Sequence, residues 1–136
     1  MSTLVIDTIQ GKTTAGSVNV RGEGSNNTNL QQGLCKAWVR TTGASVSVND
    51  SFNMSSVTDS AIGKYAPQIN NNMGNTNYAV VSSGDDKQDG ASIFVHNIDD
   101  SVDQATTGYG TSFKKYSYAL TDNNQNAASM VLGDLA

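Results

Sequence analysis

The chain has 136 residues, a net charge of −4 and a single cysteine, Cys35. That length suits one ordinary domain with one core. The acidic balance and the scatter of the eight basic residues argue against nucleic acid, whose phosphates must be met by Lys and Arg. One cysteine excludes an internal disulfide framework, and no apolar run approaches the ~20 residues of a transmembrane helix.

Asn, Ser and Thr make up about a third of the chain. These side chains bond locally to backbone groups, which favours turns and solvent-facing strand positions over helix interiors. An all-β protein is expected. The start of the chain lacks a basic segment followed by an apolar run, so no signal peptide is expected. Synthesis in the cytoplasm with delivery by assembly follows as the expectation.

In chain order, Thr3-Leu4-Val5-Ile6-Asp7-Thr8-Ile9 is rich in strand formers. A turn is expected over residues 10–16, then a short alternating strand over 17–20. Residues 22–29 read as a flexible link. Residues 1–25 are therefore expected to form an extended N-terminal β arm, with Leu4, Val5, Ile6 and Ile9 as its assembly residues. An isolated hairpin is marginal in water, so the arm would need another chain.

The body is expected over residues 30–136. Residues 30–36 can hold a short helical turn, and residues 34–40 form the best core strand, around Trp38. Further strands are expected over 45–48, 52–58, 64–69, 78–81, 92–96, 112–120 and 130–132, with a turn at 59–63. Pro67 cannot donate to a ladder and points to an edge or a bulge. The core is expected at Trp38, Phe52, Phe94 and Phe113. Short strands separated by Gly and Asn turns predict an antiparallel β-sandwich or jelly-roll-like domain.

Two blocks carry a family resemblance. Met1-Ser2-Thr3-Leu4-Val5-Ile6-Asp7-Thr8-Ile9-Gln10, followed by Gly11-Lys12-Thr13-Thr14-Ala15-Gly16, resembles the N-terminus of tail-fibre and other virion proteins of marine bacteriophages. Gly33-Leu34-Cys35-Lys36-Ala37-Trp38-Val39, Asp50 to Asp59, Gly63-Lys64-Tyr65 and Met73 to Val80 look like a second block of the same proteins. Together they span most of residues 1–83. Arg40 and Thr41 stand where members often carry Asn and Phe, and residues 65–69 depart from an alternating strand. The resemblance implies a location in the virion, assembly as a homotrimer and contact with other virion proteins of tail or capsid. It supplies no catalytic residues.

Cys35 and His96 are the only thiol and imidazole, and neither lies in an activating motif. Cys35 is expected to act as a small buried hydrophobe. One Cys and one His cannot supply the usual zinc ligands. Asp85, Asp86 and Asp89, with Asp99, Asp100 and Asp103, form two acidic clusters. The first begins like an EF-hand loop but has Lys87 and His96 at ligand positions, which excludes that motif. The plainer reading of the clusters is solvated loops, and the alternative is a looser calcium site that joins both.

Glycoside chemistry needs paired carboxylates, and no spacing singles out a pair. Neither catalysis nor a cofactor is expected. Tyr109, between Gly108 and Gly110, is the candidate for contact with host surface glycan. The expected function is a structural subunit of a phage particle, a short tail fibre or tail-associated protein. The alternatives are a capsid decoration or head-fibre protein and a glycan-binding module.

Overall fold

The structure is a computed structural model that describes residues 3–12, 18–21, 24–42, 46–84, 95–99, 102–114, 120 and 126–136, with no side-chain description for 95–98. The fold is mostly β and its sheets are antiparallel. β1 (Asn19–Arg21) and β2 (Asn27–Asn29) form a two-stranded ribbon. A single turn of helix, α1 (Leu30–Gly33), follows. Asn29 starts it, its Oδ1 accepting from the Gln32 backbone N–H at 3.0 Å, which satisfies one of the donors a helix start leaves open.

The first large sheet contains β3 (Cys35–Thr42), β4 (Ser47–Phe52), β7 (Ala79–Gly84) and β10 (Asn126–Leu132), in the order β4-β3-β10-β7. The second contains β5 (Met54–Ala61), β6 (Lys64–Ile69), β8 (Val95–Ile98) and β9 (Thr111–Lys114), in the order β5-β6-β9-β8. The β5–β6 hairpin turns at Ile62-Gly63, where Gly63 has φ 65°. Only a residue without Cβ adopts that conformation at little cost.

Both sheets feed the same core. Ala37 and Val131 of the first sheet meet Ile69 of the second, together with Met73, Tyr78 and Tyr109. A second cluster joins Tyr65 and Phe113 to Ala127. Phe113 is 1 % exposed and meets Tyr65 edge-on at 5.5 Å between ring centroids. Tyr109 Oη and Ser129 Oγ share a hydrogen bond of 2.7 Å, linking the segment before β9 to β10. Tyr78 Oη donates toward the carbonyls of Ala105 and Gly108 at 2.8 and 2.7 Å.

Pro67 does not lie in an edge strand. β6 has β5 on one side and β9 on the other, but its ladder with β9 covers only Lys64 and Tyr65. Beyond that point the segment before β9 takes over: Tyr109 N–H donates to Pro67 O and Ile69 N–H to Thr107 O. Pro67 is required only to accept there, so an inner strand tolerates it.

Two further expectations are corrected. Residues 3–9 form no strand; residues 3–12 are exposed throughout. A lone apolar strand has no partner for its N–H and C=O groups, whatever its side-chain propensity. Asp99 does not lie in a solvated loop. It is 4 % exposed and pairs with Lys64 at 3.1 Å.

Candidate functional site

Alternation along β3 sends Ala37 and Val39 into the core and Trp38 and Arg40 to the opposite face. The ladders then align four large apolar residues on that outer face. Trp38 stands opposite Phe52 on β4 and Met130 on β10, and Met130 stands opposite Val81 on β7. The row Phe52–Trp38–Met130–Val81 therefore crosses every strand of the sheet. Phe52, Val81 and Met130 are 54, 53 and 40 % exposed. Trp38 is half-buried between its neighbours.

A shallow hollow of about 280 Å³ opens along this row, lined by Trp38, Val81, Ser83, Ala128 and Met130. The next row on the same face is Asp50–Arg40–Ala128–Ser83, so the apolar row has a charged border at its β4–β3 end. Leu132 and Ala79 continue the apolar surface on the other side.

The second exposed apolar feature is the arm. Leu4, Val5, Ile6 and Ile9 are 79, 88, 48 and 59 % exposed. None of them belongs to either core cluster.

Three expected roles change with these positions. Trp38 and Phe52 are not core residues: their ladder positions place them on the outer face, in phase with Arg40 and Asp50. Tyr109 is not a loop-tip residue available to glycan, because it is 0 % exposed and its hydroxyl is engaged by Ser129. Burial pushes the Tyr109 phenol up to about 12, against the opposing effect of the Ser129 hydrogen bond, with Cys35 raising it further. Tyr78 is likewise pushed up to about 12, first by burial and then by Tyr109. Phe94 lies outside the described residues.

The other candidate groups are dispersed. Cys35 is half-buried with its Sγ donating to Ala37 O at 3.2 Å, and the His96 side chain lies outside the described residues. Asp85, Asp86, Asp89 and Asp100 also lie outside them. Asp99 turns inward to Lys64, and Asp103 faces solvent. Among the described residues, no group of three or more His, Cys, Asp or Glu is placed to hold a metal ion. No helix among them is long and apolar enough to cross a membrane. No family model, curated protein or solved structure matches the chain.

Proposed function

We propose that this chain is a non-enzymatic structural subunit of a bacteriophage particle, a short tail fibre or tail-associated protein. It acts by self-association, as a homotrimer, and by docking to neighbouring virion proteins. In this reading the two four-stranded sheets are the layers of an antiparallel sandwich with jelly-roll-like character, and the arm is the assembly element. The observation that carries it is the arm itself. An apolar segment rich in strand formers is exposed at each of Leu4, Val5, Ile6 and Ile9, while both core clusters form without it. Exposed apolar surface of that kind marks an interaction site, and an extended peptide gains main-chain bonds and apolar burial together when it meets another chain. The resemblance of residues 1–83 to phage virion proteins supports the location in the particle.

The test is incorporation. Phage carrying Leu4→Asp with Ile6→Asp are expected to assemble particles depleted of this subunit, while the purified variant keeps the melting temperature of the parent. Full incorporation of the variant would refute the arm's role.

A further inference from the structure

The arm and the outer sheet face are two uncovered apolar surfaces in one chain. We propose that the arm of one copy lies across the Phe52–Trp38–Met130–Val81 row of a second copy. The inference rests on the arm-driven assembly above and names where the arm goes.

Two observations select this occupant. The first is dimension. The row spans three inter-strand gaps, about 14 Å, and an extended segment from Leu4 to Ile9 spans about 17 Å. The arm is long enough to cover the row from edge to edge. The second is chemistry. Alternate side chains of an extended segment face the same way. The side that carries Leu4 and Ile6 bears no charge and meets a face whose exposed members are Phe, Val and Met beside a half-buried Trp. The other side, with Val5, Asp7 and Ile9, turns away and leaves the Asp7 carboxylate in water.

The geometry also sets the kind of assembly. Arm and face are different patches, so each copy both gives an arm and receives one, by reciprocal exchange in a two-fold pair or head-to-tail around a larger ring. Such a contact closes into a ring when the rotation between copies permits. A segment this short covers less than the ~800 Å² per partner of a standard interface. A single contact is therefore weak, and ring closure is what stabilises the assembly. Association should depend on concentration.

Trp38 is the only tryptophan and lies on the proposed site, so its emission reports whether the row is covered. Two full-length variants separate the halves of the contact. One carries Leu4→Asp with Ile6→Asp and keeps the face. The other carries Trp38→Phe with Val81→Lys and keeps the arm but has no tryptophan. Each alone should be monomeric by light scattering. Mixing them restores one contact without ring closure, so at high concentration the mass rises and the emission of the arm-substituted chain moves to shorter wavelength; a concentrated mixture that stays monomeric would overturn the proposal. Phe52→Lys in place of Val81→Lys should act the same way, each weakening association about tenfold or more, because an ammonium under the arm at either end of the row loses its water.

A mixture that associates without moving the Trp38 emission would show the arm docking elsewhere, which overturns this inference and leaves arm-driven assembly standing. Association of the arm-substituted chain with itself would show faces packing on faces, which overturns both. A wild-type chain that stays monomeric at every concentration would also overturn the proposal.

Discussion

The two faces of the β4-β3-β10-β7 sheet reverse the usual allotment of side-chain size. Its inner face uses small or branched residues, Ala37, Val39, Ala127, Ser129 and Val131, all buried. Its outer face holds Phe52, Trp38, Met130 and Val81. The inner face needs small residues because bulky groups reach it from elsewhere: Tyr109, Tyr78, Met73 and Phe113 share the two core clusters with its residues. The outer face has no second layer among the described residues. A sheet whose inner face is already filled by its own chain and whose outer face still carries large apolar groups is suited to being covered a second time.

The sharpest way to break this contrast is to empty the interior. Tyr109→Ala removes a fully buried ring and is expected to cost about 3–5 kcal/mol, a large share of the ~5–15 kcal/mol of an ordinary domain, and to lower the melting temperature by about 10 °C or more. Calorimetry would read it. Asp99→Ala leaves Lys64 facing a site that no longer compensates it. The expected loss is about 2–3 kcal/mol, below that of a fully buried pair because Lys64 keeps some solvent contact.

Tyr109→Phe tests the interior hydroxyl. It leaves the buried Ser129 without that bond and should cost about 1–2 kcal/mol in denaturant unfolding. Its pH signature is more diagnostic. With folded-state values of about 12 for Tyr78 and Tyr109 against an ordinary value of 10.0, the unfolded chain loses its phenolic protons first. Stability associated with these groups is thus fully present below pH 10 and is lost as the pH rises from there through about 12. Tyr109→Phe should make that alkaline loss shallower. The smallest effect belongs to the outer face: Val81→Ser should change monomer stability by about 0.5 kcal/mol or less. The matching change on the inner face of the neighbouring strand, Val131→Ser, should cost several times more. Equal costs at the two positions would remove the distinction between the faces.

How much of this was legible in the sequence depended on the kind of signal. The β character, the helical turn after Asn29 and the Gly63 turn were readable because local chemistry sets them. The face of Trp38 is readable from its neighbours, against the expectation of a core position. Its size suggests a core, yet Arg40 two residues later shares its face, and Ala37 and Val39 lie in the opposite phase. Phe52 carried the same signal through Asp50.

Tyr109 is different. Its flanking glycines suggest an exposed tip, but they serve close packing. A Cβ at Gly108 would sit 2.6 Å from Pro67 O, and one at Gly110 would sit 2.6 Å from the Val102 Cβ. Nothing within a few residues of Tyr109 announces those neighbours. The strand expected over residues 3–9 failed for the complementary reason. Its propensity is local, and a strand's partner is not.

The position of β10 has a consequence in time. β3 and β7 do not touch each other in the sheet; β10 stands between them, pairing with both. Until residues 126–132 have been made and have threaded into place, the sheet exists only as the β3–β4 hairpin and a separate β7. Contacts of such long sequence separation form slowly. Phe52 and Trp38 are then on one fragment, Val81 on another, and Met130 on neither. The apolar row is thus a late product of folding, and a growing or half-folded chain cannot present it whole. Topology alone therefore makes the completed row a mark of a fully folded chain.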